Sequence, residues 1–278
     1  MANYKLTFCY DGSRYRGWQN QNNVSSTIQH KMESVLNDIL HEKVSLQASG
    51  RTDAGVHARM QVANFHSRQN LDTVRILGQL RHQLPQDIGA LQLEPVPESF
   101  HARLNCTGKT YRYYLWNSEE PCVFMRKYRT VIPGSLDLDA MNHAASLFKG
   151  THDFSAFTSS RNKKHSSVRT IREITVTREG PEIILEYSAD GFLYNMVRIL
   201  TGSLIEVGSG EKTAKDLSRA LESGTRADAG FTAPPQGLFL WNVEYRKKGA
   251  HLRSFFTVSA VNNRIYGYPN CLLPEVPA

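Results

Sequence analysis

The sequence contains few cysteines and lacks the common metal and phosphate motifs. Its four cysteines are widely separated, and no two form a Cys-x-x-Cys pair; they are Cys9, Cys106, Cys122 and Cys271. We therefore expect reduced structural thiols, not a zinc site or a disulfide framework. His-Glu-x-x-His and the phosphate-loop lysine motif are absent too, so neither of these signatures of zinc or nucleotide chemistry is present.

Long apolar runs are also missing. No run approaches the ~20 residues that a helix needs to cross a bilayer. The first residues, Met-Ala-Asn-Tyr-Lys-Leu-Thr-Phe, enter a strand-like pattern at once and lack the apolar core of a signal peptide. These two absences favour a cytoplasmic protein.

The composition is that of a soluble globular protein, with 40% hydrophobic and 21% charged residues. A chain of 278 residues can form one large domain or two smaller ones, each with a substantial core. The net charge is +7 and the sequence pI is about 9.2. This excess of positive charge suits a polyanionic partner, although many basic proteins bind no nucleic acid.

Residues 1–105 show the alternation of strands and helices that is typical of an α+β unit. Runs of strand-favouring residues predict strands at 4–10 and 61–66. A first helix is predicted from the capping box Ser26-x-x-Gln29 and the apolar spacing that follows it. A second helix carries apolar residues at helical spacing and ends at Pro85; these residues are Leu71, Val74, Leu77 and Leu80.

Residues 106–248 repeat this outline, so we predict a duplicated α+β fold with a cleft between the halves. Asp137 is expected to cap a helix that Gly150 terminates. Further helices are predicted at 192–207 and 213–223, and strands at 110–116, 171–177, 183–188 and 238–245. Residues 249–278 show no clear pattern and contain several prolines, so they form an extension of unknown role.

The segment Gly50-Arg51-Thr52-Asp53-Ala54-Gly55-Val56-His57-Ala58 holds a single carboxylate beside a cation and several small residues. Arg51 and Asp53 are two positions apart, so in extended backbone they share a face. A neighbouring Arg favours the charged form of Asp53, which suits a nucleophile or a general base. The alternative is an ordinary β-turn with an incidental ion pair and a solvated His57.

Two further residues stand out from their surroundings. Arg198 lies in an otherwise apolar helical segment, and an unpaired buried cation costs several kcal/mol. It therefore either meets a carboxylate such as Asp53 or extends to solvent from the helix edge. Tyr111 lies in the aromatic strand 110–116, where it could equally be a core residue.

Residues 161–172 contain five cations and no acidic residue. These cations are Arg161, Lys163, Lys164, Arg169 and Arg172. Such charge runs are usually solvated loops. If the segment contacts phosphates instead, log affinity falls with log salt by about 0.7–0.9 for each phosphate neutralised.

Several separated motifs, in this order along residues 4–248, resemble the TruA family of tRNA pseudouridine synthases. They are Asp11-Gly12 with Gly17-Trp18-Gln19, the nonapeptide at 50–58, Lys109-Thr110-Tyr111-Arg112-Tyr113, His152-Asp153-Phe154-Ser155-Ala156-Phe157, Gly191-Phe192-Leu193-Tyr194-Asn195-Met196-Val197-Arg198, and Ala233-Pro234-Pro235-Gln236-Gly237-Leu238-Phe239-Leu240. The family commonly carries His where this chain has Gln236, a departure that leaves the catalytic motif intact.

The resemblance implies a role for each matching residue. Asp53 would be the catalytic residue and Arg198 its partner, while Tyr111 would stack on the base or carry a proton. Arg51 would enter the space vacated by an extruded base or hold a phosphate. The residues expected to line the uracil pocket are Gly237 and Leu238. The residues expected to contact phosphates are Arg161, Lys163, Lys164 and Arg169.

The resemblance also implies a fold and a substrate. The fold would consist of duplicated ferredoxin-like or RRM-like halves that form a central antiparallel sheet flanked by helices, as in pseudouridine synthases. The protein would be a homodimer with no metal or cofactor. Its substrate would be tRNA, at uridines 38, 39 and/or 40 of the anticodon stem-loop, and the target base would leave the stack before reaction.

Alternatives remain open at this point. Whether Asp53 attacks the sugar or removes a ribose proton does not follow from the residues. An RNA-binding paralogue with another RNA target, or without catalysis, would share much of the sequence. A hydrolase built from Ser49, His57 and Asp53 is a third reading, although no Gly-x-Ser-x-Gly motif supports it.

Overall fold

A computed structural model describes residues 1–21, 26–160 and 166–246. The elements of its first half are β1 (Ala2–Tyr10), α1 (Ile28–Leu40), β2 (Gln47–Ala48), β3 (His57–Ser67), α2 (Thr73–Gln83) and β4 (Ile88–Val96). Those of its second half are β5 (Cys106–Trp116), β6 (Thr130–Val131), α3 (Leu138–Ser146), β7 (Gly150–Asp153), β8 (Val168–Glu179), β9 (Glu182–Ala189), α4 (Met196–Gly208), α5 (Ala214–Ser223) and β10 (Leu238–Tyr245). The extension 249–278 lies outside the described residues.

One sheet runs through both halves in the order β4-β1-β3-β10-β5-β9-β8-β7, with β2 paired to β3 and β6 paired to β5. Its pairings are antiparallel except those of β3 with β10 and of β5 with β6. The first half has the order β4-β1-β3-β2 and the second the order β10-β5-β9-β8. Each half is thus a βαββαβ unit with the ferredoxin-like strand order, which confirms the predicted fold class.

The two halves belong to one compact unit, Met1–Arg246. The last strand of the second half, β10, pairs with β3 of the first half through Phe239 and Leu240. Because the sheet is continuous across this junction, the division into domains 1–105 and 106–248 stays a prediction.

Several local expectations need correction. The cap of α1 is Thr27, whose hydroxyl accepts from the His30 N–H, and not Ser26. Val74 is 81% exposed, because α2 turns Ile76 and Leu80 towards the core instead. The helix predicted at 192–207 begins only at Met196, because Asn195 adopts a left-handed conformation with φ of 60°. The helix capped by Asp137 ends at Ser146, and Gly150 opens β7.

The helix α4 packs on the same face of the sheet as Tyr111. Tyr187 of β9 lies opposite Tyr111 in the ladder, so both side chains share this face. The buried Tyr187 hydroxyl lies 2.8 Å from the Thr201 hydroxyl of α4. Tyr111 therefore occupies the face on which α4 carries Arg198.

Two other expectations concern thiols and membranes. Cys9, Cys106 and Cys122 are free thiols, and Cys271 lies outside the described residues. In the part of the chain that the structure describes, no helix is both long enough and apolar enough to cross a membrane.

Candidate active site

The loop that joins β2 to β3 carries residues 50–56, and His57 and Ala58 begin β3; the N-terminal motif holds this loop. The Trp18 N–H donates to the Thr52 carbonyl over 3.0 Å, and the Gly55 N–H donates to the Tyr15 carbonyl over 3.3 Å. Trp18 itself is buried against Phe8. Backbone hydrogen bonds from one loop to another fix the height of Asp53 above the sheet.

His57 is not the solvated residue of the β-turn alternative, because it is only 1% exposed. Its Nδ1 lies 3.1 Å from the Gly12 N–H nitrogen, and its Nε2 lies 3.2 Å from the Gln236 carbonyl. The Ser49 hydroxyl is buried and donates to Gln61 over 2.7 Å. Ser49 and His57 are thus committed to other partners, and the hydrolase arrangement does not form.

Asp53 faces Arg198 across the cleft. Arg198 NH1 lies 3.6 Å from Asp53 Oδ2, a separation that makes an ion pair rather than a hydrogen bond. Their side chains are 16% and 26% exposed. Arg198 also lies in the first turn of α4, where the helix dipole disfavours a second positive charge. The Asp53 carboxylate at 3.6 Å offsets both the cost of burying the guanidinium and its repulsion by the helix dipole.

The pKa of Asp53 is raised. Burial disfavours the carboxylate, and the opposing effect of the Arg198 charge is smaller. The expectation that a neighbouring Arg would favour the charged form is therefore wrong in its net direction. The cation that pairs with Asp53 is Arg198 and not the neighbouring Arg51, because Arg51 is exposed and has no salt bridge with a described residue.

Arg198 is held in place by two contacts besides Asp53. Its Nε donates to the Ala233 carbonyl over 2.7 Å, and its NH1 donates to the Asn195 side-chain oxygen over 2.9 Å. Asn195 in turn donates to the Ser159 hydroxyl over 3.0 Å. The guanidinium is thus held by contacts that do not involve Asp53.

Tyr111 lies beside Asp53 on β5 and is 8% exposed. Its ring meets Phe192 edge-on, with centroids 5.1 Å apart. Burial raises the pKa of Tyr111, and the charges of Tyr10 and Asp53 raise it further. These effects favour the protonated phenol, which can donate a hydrogen bond.

A cavity of about 650 Å³ brings these residues together, which is within the usual size range of small-molecule sites. Asp53, Tyr111 and Arg198 line it, as do Arg51 and Leu238. Gly237 does not line it; a Cβ at Gly237 would come within 2.7 Å of the Tyr113 ring. Gly237 thus lets the chain pass closely over Tyr113 and brings Leu238 to the cavity.

The basic segment is only partly described. Arg161, Lys163 and Lys164 lie outside the described residues. Arg169 lies on β8, where its NH1 donates to the carbonyls of Ser166 and Val168. It is not one of the cavity-lining residues.

Two site residues were missed from the sequence. Asn195 was quoted within a motif, but its contact with Arg198 depends on a positive φ that the sequence does not signal. Lys109 lies two positions before Tyr111 on β5 and lines the same cavity. The period of two along a strand could have identified Lys109.

Among the described residues, no group of three His, Cys, Asp or Glu side chains could hold a metal ion.

Comparisons with known proteins cover both halves of the chain. A sequence model of a family described as tRNA pseudouridine synthase matches residues 7–105 and 144–246. A tRNA pseudouridine synthase A from Bacillus sp. (strain KSM-64) is 44% identical over 245 residues, which are 88% of this chain and 100% of the relative. The protein of the same name from Acetivibrio thermocellus is also 44% identical, with the same coverage. In Clostridium perfringens, tRNA pseudouridine synthase A 2 is 43% identical over 245 residues.

A solved structure also shows a slight likeness. A chain of the crystal structure of a Cbf5-Nop10-Gar1 complex is 15% identical and aligns with a TM-score of 0.34. The alignment covers 73% of this chain and 45% of that chain.

Proposed function

Because this chain belongs to the tRNA pseudouridine synthase family, and so is an isomerase that converts uridine to pseudouridine in tRNA, we propose that Asp53 is its catalytic carboxylate. Arg198 is the partner of Asp53, and Tyr111 is the platform for the target base. Leu238 contacts the base, and Arg51 fills the space that the extruded base leaves or holds a phosphate.

One observation carries this proposal. Asp53 is the only acidic residue among the described residues that line the cavity, and its ion pair joins the two halves of the chain. A structural carboxylate would be satisfied by hydrogen bonds, whereas within the described part of the chain Asp53 has only a cation 3.6 Å away. Its oxygens therefore keep lone pairs for a ligand that enters the cavity.

The chemistry requires a carboxylate at this position. Isomerisation breaks the bond between C1′ and N1 of uridine and forms a bond between C1′ and C5. The C5 proton is lost, N1 gains one, and no electrons are exchanged with a second reagent. The ionised Asp53 either attacks C1′, forming an ester bond that breaks when C5 bonds to C1′, or removes the proton from C2′ and returns it when C5 bonds to C1′. Deuterium at C2′ gives a primary isotope effect only on the second route.

The aromatic and apolar walls suit an extruded pyrimidine. Leaving the base stack costs a few kcal/mol, which stacking on aromatic side chains returns. Tyr111 and Phe192 supply aromatic surface and Leu238 an apolar contact. Because the protonated form of Tyr111 is favoured, we assign it stacking rather than proton removal.

The order of the sequence motifs supports a finer assignment. By that resemblance the target is the anticodon stem-loop, at uridines 38, 39 and/or 40, the enzyme is a cytoplasmic homodimer, and no metal or cofactor takes part. Arg161, Lys163, Lys164 and Arg169 then contact phosphates, consistent with the net charge of +7.

The decisive experiment compares Asp53→Asn with Asp11→Asn. Both change a carboxylate of similar exposure into an amide, and Asp11 does not line the cavity. We expect Asp53→Asn to bind tRNA and to lose at least ~10³-fold in turnover. Asp11→Asn should keep turnover within about threefold when assayed where it is folded, because it removes no transition-state contact.

Position-by-position mapping of pseudouridine in the product tRNA completes the test. Modification confined to positions 38–40 supports the anticodon assignment, and modification elsewhere overturns it. Turnover by Asp53→Asn at the wild-type rate would remove Asp53 from the mechanism.

A further inference from the structure

The cavity holds more positive charge than its one carboxylate requires. Arg198 pairs with Asp53 at 3.6 Å. Three more cations line the same cavity without a salt bridge to any described carboxylate; they are Arg51, Arg103 and Lys109. Cations that crowd together without acids are expected to meet an anionic ligand.

Lys109 lies directly beneath the loop that carries Asp53. Its ammonium donates to the Ser49 carbonyl over 2.8 Å. A Cβ at Gly50 would lie 2.8 Å from the Lys109 nitrogen, so the missing side chain leaves space beside the ammonium. An ammonium has three donors, and the Ser49 carbonyl uses one of them. Lys109 therefore holds the loop and keeps donors for a ligand.

The turn after β4 adds two more donors. His101 Nδ1 accepts from the Arg103 N–H over 3.1 Å and from the Leu104 N–H over 3.4 Å. With Nδ1 occupied as an acceptor, the ring hydrogen lies on Nε2, which is then a donor. Arg103 is exposed, and its guanidinium can bind a phosphate through two parallel hydrogen bonds.

Lys109 is partly buried and lies near two other cations. Burial lowers the pKa of Lys109, and the charges of Arg103 and Arg169 lower it further, whereas Cys106 raises it. A bound anion would relieve this repulsion. Lys109 and Tyr111 are two residues apart on one face of β5, about 7 Å along the strand. A group bound at Lys109 is thus within one nucleotide of a base stacked on Tyr111.

We propose that Lys109, Arg103 and His101 form a subsite for one backbone phosphate next to the target nucleotide. The subsite rests on the proposed function, because it requires the target base to enter the cavity beside Tyr111. It fixes the register of the RNA strand, so that the intended ribose, and not its neighbour, lies over Asp53.

The test pairs protein variants with changes in the RNA. tRNAs assembled from synthetic fragments carry a neutral methylphosphonate in place of one phosphate at a time around the target uridine. Binding is measured with Asp53→Asn, alone or combined with Lys109→Gln or Arg103→Gln. We expect one neutral linkage to weaken binding about tenfold in Asp53→Asn, the size of one charge-assisted hydrogen bond, and at most twofold when Lys109 or Arg103 is also replaced.

Matched controls are Lys215→Gln and Arg75→Gln, which remove exposed cations that do not line the cavity. They should leave the tenfold effect intact. The slope of log affinity against log salt should fall by about 0.7–0.9 in the Lys109 variant and stay unchanged in the controls. If every neutral linkage weakens all variants equally, the subsite does not exist and Lys109 only tethers the loop.

The outcome is independent of the catalytic assignment. Arg103 is exposed, so Arg103→Gln should fold even if Lys109→Gln disturbs the loop at Ser49. Binding to Asp53→Asn needs no turnover, so a failure of the catalytic proposal appears as activity in that variant and leaves the coupling measurement readable.

Discussion

Asp11 and Asp53 have similarly exposed side chains but differ in what surrounds their carboxylate oxygens. Their side chains are 28% and 26% exposed. Asp11 accepts from the Ser13 N–H over 2.9 Å, from the Ser13 hydroxyl over 2.6 Å and from the Tyr128 hydroxyl over 2.9 Å. Among the described residues, the Asp53 side chain has only the guanidinium of Arg198 at 3.6 Å.

The difference in donors reverses the effect of burial on the pKa. Burial pushes the pKa of Asp11 upwards, but the contact with His57 Nδ1 at 3.1 Å and the hydrogen bonds from Ser13 and Tyr128 outweigh it and hold the pKa well below its usual range. At Asp53 burial prevails and the pKa is raised. Equal exposure therefore does not give the same direction of pKa shift. A carboxylate that is fully hydrogen-bonded stabilises the fold, and one left with a single distant cation can react.

Removing the cation at Asp53 should have the largest effect on this comparison. We expect Arg198→Gln to reduce kcat/KM about 10²-fold, because it removes charge stabilisation at the reacting carboxylate. Without Arg198 the burial of Asp53 is unopposed, so its pKa rises further and the acid limb of the kcat/KM profile moves to higher pH. Steady-state rates across pH measure both effects.

Arg219→Gln is the control for this change. Arg219 pairs with Asp216 at 2.9 Å on the surface of α5, far along the chain from the loop of Asp53. Its loss should leave both the rate and the acid limb in place. An unshifted acid limb in Arg198→Gln would mean that the limb reports a group other than Asp53.

The free energy of unfolding should depend more on Asp11 than on Asp53, the reverse of the order expected for turnover. Asp11→Asn should lower the free energy of unfolding at neutral pH by about 1–3 kcal/mol, since charge-assisted hydrogen bonds are lost. The folded-state pKa of Asp11 lies below its unfolded value, so this stabilisation is present above about pH 4 and disappears as the pH falls further. Asp53 has a raised folded-state pKa, so its ionisation disfavours folding as pH increases. Asp53→Asn should therefore cost less stability than Asp11→Asn at neutral pH, although it leaves Arg198 without its carboxylate.

Denaturant unfolding of both variants at neutral and acidic pH measures the two contributions. If Asp53→Asn loses as much stability as Asp11→Asn at neutral pH, the distinction between a structural and a reactive carboxylate is wrong.

The hydrogen bonds that Asn195 makes to Arg198 and Ser159 should affect the rate less than Arg198 itself does. Asn195→Gly keeps the positive φ of 60° without strain but removes the hydrogen bonds to Arg198 and Ser159. We expect kcat to fall about fivefold, on the order of one hydrogen bond, with KM for tRNA changing less. His41→Gly, at the other non-glycine residue with positive φ among those described, should leave kcat unchanged. Equal losses in the two variants would assign the effect to the backbone alone.

The smallest effect should come from the tyrosine beside each carboxylate. Tyr128 donates to Asp11 over 2.9 Å, so Tyr128→Phe should cost about 0.5–1.5 kcal/mol of stability. Tyr111 lies near Asp53 but shows no hydrogen bond to it in the described structure, and its ring is retained in Tyr111→Phe. We expect turnover of Tyr111→Phe within about threefold of wild type. A loss of 10²-fold or more would instead assign the phenol a direct part in proton transfer.

Much of the fold and part of the site followed from local patterns. The strand at 238–245 is observed with the predicted limits, because its aromatic and branched residues suit a central strand. The pairing of Arg198 with Asp53 was expected as one of two outcomes, because a cation in an apolar helix needs a partner.

The remaining features depend on contacts between distant residues. The pKa direction at Asp53 depends on how deeply the assembled halves bury it, which local charge order does not reveal. Helix α4 starts late because Asn195 turns the chain, and helical spacing continues through the preceding residues regardless. The tether from Lys109 to Ser49 joins residues 60 positions apart.

The position of β10 has a consequence for how the protein is made. β10 separates β3 from β5 at the centre of the sheet, yet it includes residues 238–245. A nascent chain that has not yet released this strand from the ribosome has two half-sheets with open inner edges and no junction between them. A messenger truncated before β10 yields a first half with Asp53 and a second half with Arg198 that no shared strand joins. Translation of nearly the whole compact unit is thus a precondition for assembling its chemistry.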